Sequence, residues 1–445
     1  MNFARGLLAA AALFCTSAFA ALPIQHWTQP SGAKVWLIES NVLPMLDVQI
    51  DFDNGERRDP ADKAGLASVT AAMTAKGLQA RGGQPALDEN QLSEAWADLG
   101  AAFGGSASSD RMSFTLRSLT DPQLLPKAVQ LGARQLAEPS FPENVWLRER
   151  DRMSAAIREA NTRPATVANK EYQRVVYSGH PYGYDTTEES LARITVADMR
   201  AIHARLLPCR AKVSVVGAVN RAQADQIVTQ LLSRLPTGTA CTELPPVPEV
   251  PALTAAAERN IPFVSQQAHV LIGQPGYKRA DPDHFAMMVG NYILGGGSFV
   301  SRLTNEVREK RGLTYSVYSY FSPGLHAGAF TIGLQTRTDQ AAQAVQVARQ
   351  VLEAFVRDGP TPQEMKAAKD FLIGGFPLLL DSNRKLLDNV ANIAWHGLPL
   401  DYLDTWTAQV EKVTIEQVRA AFARKLQPER MVTVIVGATR ATAQQ

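Results

Sequence analysis

Thr195-Val-Ala-Asp-Met-Arg200-Ala-Ile-His-Ala-Arg205 lies parallel to Thr414-Ile-Glu-Gln-Val-Arg419-Ala-Ala-Phe-Ala-Arg424, 219 residues further along the chain. Each run leads into a β-branched stretch that ends on Gly-Ala: Val213-Ser-Val-Val-Gly217-Ala218 in the first copy and Val432-Thr-Val-Ile-Val-Gly437-Ala438 in the second. The offset rises by one across the helix–strand joint. A chance match over two consecutive elements is improbable, so the chain reads as two homologous halves.

Working outward from the repeat, Thr237 to Pro251 carries Cys241 and the run Pro245-Pro246-Val247-Pro248-Glu249-Val250-Pro251. Such a run is extended and semi-rigid, which suits a linker. Leu46, Val48, Ile50 and Phe52 alternate with Asp47, Gln49, Asp51 and Asp53, the pattern of a strand facing a core on one side only. Met112, Phe114 and Leu116 repeat the alternation, as do Phe330, Ile332 and Leu334 in the second half. Gly359-Pro360 ends one helix, and Thr361-Pro362-Gln363-Glu364 opens the next with an N-cap, a first-turn Pro and a capping-box Glu. Strands and helices mix without strict alternation, which predicts an α+β fold.

The chain begins Met1-Asn2-Phe3-Ala4-Arg5, continues through an apolar run from Gly6 to Phe14, and reaches Ala18-Phe19-Ala20. That is the layout of a cleaved secretory signal peptide, with the mature chain starting near Ala21 and residing in the periplasm. Cys15 follows Leu13-Phe14 rather than small residues, which speaks against lipidation. The expected organisation is a signal peptide over 1–20, a first half over 21–236, a linker over 237–255 and a second half over 256–445. Lys and Arg total 45 against 43 acids with neither sign concentrated, which speaks against nucleic acid or an anionic membrane as partner. No later stretch has the apolar length to span a bilayer. Cys209 and Cys241 remain after cleavage and read as a disulfide in an oxidising compartment, with two separate thiols as the alternative.

After a turn at Gly55-Glu56-Arg57-Arg58-Asp59-Pro60 comes Gly65-Leu66-Ala67-Ser68-Val69-Thr70-Ala71-Ala72-Met73. Leu66, Val69, Thr70 and Met73 share one helical face; Ser68, Ala71, Ala72 and Ala75 share another, lined with small side chains. On the residues alone this face packs tightly against a neighbour. The segment resembles the pitrilysin and insulinase-type zinc peptidases, the family that includes the mitochondrial processing peptidase, whose members carry Gly-x-Ala-His-x-x-Glu-His-Met here. Positions i and i+4 on one helical face let two imidazoles hold zinc while the Glu at i+3 activates its water. By this resemblance the two His positions are Ser68 and Ala72 and the Glu position is Ala71. The family's third ligand, a Glu seven residues after another Glu, falls on Ala156 when counted from Glu149. The resemblance therefore implies a chain that binds no metal. His26, His180, His203, His269, His284, His326 and His396 show no ligand spacing, Gly104-Gly105-Ser106-Ala107-Ser108 and Gly296-Gly297-Ser298-Phe299-Val300 lack the last Gly of a nucleophile elbow, and Cys209 adjoins the Pro-linked entry to a core strand.

The second half keeps a different signature: Asn291-Tyr-Ile-Leu-Gly295-Gly296-Gly297-Ser298-Phe-Val-Ser301-Arg302-Leu303, then Glu306-Val-Arg308-Glu-Lys-Arg311-Gly312-Leu313-Thr314-Tyr315. It reads as a helix ending at a Gly-rich turn, a second helix to about Arg311 capped by Gly312, and a strand. On composition alone, Arg308 is an exposed helix residue and Tyr315 one of several strand aromatics. The string is similar to the same family's Gly-rich stretch and Arg-Glu-Lys-Arg-Gly-Leu-x-Tyr sequence. That similarity implies that Arg308 and Tyr315 hydrogen-bond a peptide backbone near the scissile carbonyl. Gly295, Gly296 and Gly297 either line the chamber or end the helix. Heterodimeric members divide the work, one subunit holding zinc and the other supplying Arg and Tyr. The resemblance thus implies a clam-shell of two α/β-sandwich-like halves that serves as the non-catalytic subunit beside a zinc-bearing homologue. A peptide-binding or scaffold protein with no part in proteolysis is the alternative.

Overall fold

A computed structural model of the protein describes residues 23–237 and 241–437. The signal-peptide reading of residues 1–20 lies outside them. The repeat is visible element by element. Thr195 caps the helix Val196–His203 through a capping box with Asp198, and Thr414 caps Ile415–Lys425 through the same box with Gln417. Short 3-10 turns at Pro208–Arg210 and Pro428–Arg430 then feed the strands Lys212–Gly217 and Val432–Val436.

Each repeat strand has the same neighbours. Lys212–Gly217 runs parallel to Lys34–Glu39 and antiparallel to Met45–Phe52. Val432–Val436 runs parallel to Ala257–Ile261 and antiparallel to Gln267–Tyr277. Beyond these, Met112–Leu119 and the edge strand Ala102–Ala107 complete the first sheet, as Gly328–Arg337 and the edge strand Thr314–Phe321 complete the second. The first sheet carries one additional outer strand, Gln25–Thr28. Helices of the same half cover one face of each sheet and close separate apolar cores. The chain is therefore α+β and built of two homologous mixed-sheet halves. The helix Ala341–Asp358 stops at Gly359 (φ 72°), and Thr361 and Glu364 form the expected capping box on Pro362–Gly375.

One expectation is corrected. Met45–Phe52 is buried on both faces, with Asp47 and Asp51 as enclosed as the apolar residues between them. The cover comes from the other half. The helix Asn383–His396 lays Leu386, Leu387, Val390 and Ile393 against Trp36, Ile38 and Val216. Buried polar groups must be paired, and here they are: Arg117 Nε donates to Asp47 at 2.7 Å, Arg111 to Asp51 at 3.0 Å, and Ser113 Oγ to Asp51 at 2.5 Å. Lys212 Nζ donates to the carbonyls of Ala394 and Trp395 at the helix C-terminus, where a cation is favoured. The arrangement is reciprocal: the first half's helix Pro164–Val176 covers the second sheet, with Ala168, Tyr172 and Val176 on Leu271, Ala329, Val432 and Val434.

The linker is fastened at Pro245, Pro248 and Glu249. Arg58 donates to Pro245 O, His180 Nε2 to Pro248 O at 2.9 Å, and the amide of Ala327 to Glu249 at 2.9 Å, while Lys278 pairs with the same carboxylate. Cys209 and Cys241 are disulfide-bonded with Cα atoms 6.2 Å apart. The hairpin turns of the two sheets also meet, since Asp110 accepts from the amide of Leu325 at 2.9 Å and from Arg57 and Tyr182 on its other oxygen.

Candidate functional site

The helix Leu66–Met73 starts at Gly65, whose φ of 95° only a residue without Cβ adopts at low cost. Asp59 anchors this start by accepting the amides of Gly65 and Ala67 at 3.0 Å. Burial pushes the Asp59 carboxyl up to about 7, against the pull of those amides and helped by the charge of Glu56. The small face then turns out as follows. Ser68 is half-buried and donates to Glu56 at 2.6 Å; Ala71 is fully buried against Gly105 of the edge strand, where a Cβ would collide with the Ala71 carbonyl; Ala72 is exposed.

A hydroxyl already committed to a carboxylate and two methyl groups do not fit a zinc ion. Among the described residues no cluster of three His, Cys, Asp or Glu side chains could hold a metal. Ala156 is exposed on the helix Glu143–Ala160, about 10 Å along the axis from Glu149 at 1.5 Å per residue. On the same helix Glu149 meets Lys76, three residues past the end of Leu66–Met73. It takes Lys76 Nζ at 3.1 Å and Arg152 at 2.7 Å, and Lys76 also meets Glu89 at 3.4 Å. Burial pushes the Glu149 carboxyl up, but the hydrogen bonds from Arg152 and Lys76 outweigh it and hold the group below its usual range. An ammonium between two carboxylates therefore stands next to this helix. Sequence reading missed it, although Lys76 lies four residues after Ala72.

The second half differs from the expected helix–turn–helix. Regular α-helix stops at Asn291, and Tyr292–Gly296 and Thr304–Glu309 are wound with wide π-type turns, as in the bonds Gly297 N to Tyr292 O and Lys310 N to Asn305 O. Wide turns of this kind are frequent at functional sites. Gly295 packs so closely on the strand Thr314–Phe321 that a Cβ would strike Ser319, and Gly295 and Gly296 line a cavity of about 440 Å³ beside that strand. Gly295 and Gly296 thus line the cavity, while Gly297 stands at the end of the wound segment Tyr292–Gly296. None of the three adopts the left-handed conformation of a helix-ending glycine; that conformation falls on Ser298, with φ 52°, at a cost of about 1–3 kcal/mol.

Arg308 and Tyr315 both line this cavity. Leu303 and Val307 are fully buried, and Arg302 clamps Glu364 through two bonds of 2.7 Å, so the segment is fixed while Arg308 points out at its edge. Tyr315 is the extra residue of a β-bulge: Thr314 pairs with Thr336 and Ser316 with Gln335. Bulges re-aim side chains, and Tyr315 is 81% exposed. The Arg308 guanidinium carbon lies 5.0 Å from the Tyr315 ring centroid and 4.8 Å from that of Phe299. Cation–π contacts at exposed positions contribute about 0.5–1 kcal/mol each. Among the described residues the guanidinium donates no hydrogen bond within the chain; its charged neighbour is Glu309, 3.4 Å from Nε. Tyr318 and Tyr320 stack at 6.0 Å along the same wall, and burial together with Tyr320 pushes the Tyr318 phenol up. Tyr320 also lines a second cavity of about 400 Å³ at the junction of the halves.

Comparison with known proteins identifies the family. The family model described as insulinase (peptidase family M16) matches residues 34–189, and the one described as peptidase M16 inactive domain matches 193–372. The crystal structure of a peptidase M16 inactive domain from Pseudomonas fluorescens superposes with a TM-score of 0.88 at 33% identity, covering 95% of this chain and 99% of that one. The chain belongs to the insulinase-type M16 peptidase family. A curated relative, the non-peptidase homolog YmxG of Helicobacter pylori, is 28% identical over 397 residues, covering 87% of this chain and 88% of that protein. The periplasmic protease PqqL of Escherichia coli shares the fold with a TM-score of 0.79 at 18% identity, this chain spanning 46% of its length. Residues 193–372 thus match the family's inactive domain, and the positions that the resemblance assigns to the metal site in the first half hold Ser68, Ala71 and Ala72. Among its described residues no helix is long and apolar enough to cross a membrane.

Proposed function

We propose that the chain is the non-catalytic subunit of a periplasmic heterodimeric zinc metallopeptidase, supplying Arg308 and Tyr315 to a zinc-bearing M16 partner. The observation that carries this reading is an asymmetry between halves. The metal-site face is filled by Ser68, Ala71 and Ala72, whereas the second half, at its edge strand and the segment before it, presents an Arg whose terminal nitrogens donate no hydrogen bond among the described residues and a bulged, solvent-facing Tyr on one cavity. A planar guanidinium fork and a phenol are suited to hold a peptide carbonyl and to donate where negative charge develops on it. Zinc, held by the partner, supplies the activated water. The signal-peptide reading of residues 1–20 supports a periplasmic location for this chain, and its balanced charge suits peptide rather than nucleic acid as substrate.

The test is to co-express the chain with the His-x-x-Glu-His homologue of the same organism. The reading predicts co-elution on size exclusion and peptide cleavage that requires both chains. Equal turnover by the partner alone would overturn it in favour of a scaffold.

A further inference from the structure

We propose that Phe299 is the positioning residue of Arg308, resting on the reading that Arg308 meets the peptide. Phe299 is a large aromatic held 66% exposed, at the tip of a segment whose geometry is set on both sides. Before it, Ser298 takes the left-handed conformation. After it, Ser301 is fully buried and its hydroxyl donates to Ser298 O at 2.8 Å and lies 3.0 Å from Thr304 Oγ1. A strained residue persists only where its surroundings over-determine it. Here the strain and the Ser301 anchor hold a phenyl ring out of the core and against a cation. The Arg308 guanidinium carbon lies over the rings of both Phe299 and the bulged Tyr315, 4.8 and 5.0 Å from their centroids. A cation held over ring faces keeps N–H donors for a ligand: Nε lies 3.4 Å from Glu309, and among the described residues the terminal nitrogens donate no hydrogen bond within the chain. Tyr315 is itself offered to substrate, so Phe299 is the contact dedicated to fixing the plane of Arg308.

The test uses the complex with its zinc-bearing partner and steady-state cleavage of a peptide. Phe299→Leu keeps apolar bulk and removes the ring; Phe299→Tyr keeps the ring. The leucine variant is expected to lose about 2- to 5-fold in kcat/KM with an unchanged melting temperature, and the tyrosine variant to stay at the wild-type value, in keeping with an exposed cation–π contact. In an Arg308→Ala background Phe299→Leu should have no further effect. A wild-type-like leucine variant, an effect that adds fully to that of Arg308→Ala, or loss of the complex on size exclusion would each overturn the assignment. If Arg308→Ala alone leaves kcat/KM unchanged, the shared-site reading falls instead.

Discussion

Replacing Tyr172 by Phe removes one oxygen from the contact that joins the halves. Tyr172 lies on the first half's helix Pro164–Val176, is 0% exposed, and donates to the Phe330 carbonyl at 2.6 Å with Thr331 Oγ1 at 3.0 Å, both in the second sheet. The ring stays packed in the variant, so the change isolates the hydroxyl. A hydrogen bond is worth about 1 kcal/mol net, and leaving buried partners short of a donor costs about 1–3 kcal/mol. The expected loss is about 2 kcal/mol, and Tyr172→Ala should lose roughly twice that by adding a cavity. Gly273→Ala should be worse than Tyr172→Phe, because its Cβ would fall on the Phe330 carbonyl and the Tyr172 hydroxyl. The assay is urea unfolding followed by tryptophan fluorescence, whose reporters Trp27, Trp36, Trp96 and Trp146 lie in the first half and Trp395 and Trp406 in the second. Because each half covers the other's sheet, a single transition is expected in wild type. A loss below about 0.5 kcal/mol for Tyr172→Phe, or two separate transitions in wild type, would refute the interlocked description.

Three further outcomes are expected. Burial raises the Glu249 carboxyl, but Lys278 and the amides of Ala327 and Val250 prevail and pull it down to about 2. Its contribution is therefore complete above the unfolded value near 4.5 and lost as pH falls toward 2. Glu249→Gln should flatten the fall in melting temperature over that window, and an unchanged acid limb would contradict the linker clasp. Cys209→Ser opens a loop with a sequence separation of 32 and should cost about 3–4 kcal/mol in the chain-entropy model, read as a shifted urea midpoint. Dialysis of the isolated chain against a chelator should leave its melting temperature unchanged; a drop of several degrees, reversed by zinc, would contradict the account of Ser68, Ala71 and Ala72.

What the sequence reveals is set by how local each determinant is. The two Thr-capped helices, the Gly359 stop and the Thr361 capping box are fixed by residues within four positions, and they stand where the sequence places them. Asp47, Gln49 and Asp51 read as a solvent face because their cover, Asn383–His396, lies more than 300 residues away. The Tyr315 bulge carries no signal in Thr-Tyr-Ser, since it depends on register with Gln335 and Thr336. The contact of Phe299 with Arg308 was hidden for a related reason: it depends on the backbone of Ser298, where left-handed geometry falls on a serine rather than on one of the three glycines before it.

The most direct measurement is kcat/KM for peptide cleavage by the partner complexed with wild-type chain or with the Arg308→Ala, Tyr315→Phe double variant. Removing a single donor to a developing oxyanion costs about 10²–10³ in rate, so the shared-site account predicts at least a hundredfold fall with the complex and its zinc intact. Equal kcat/KM in the two complexes would contradict it.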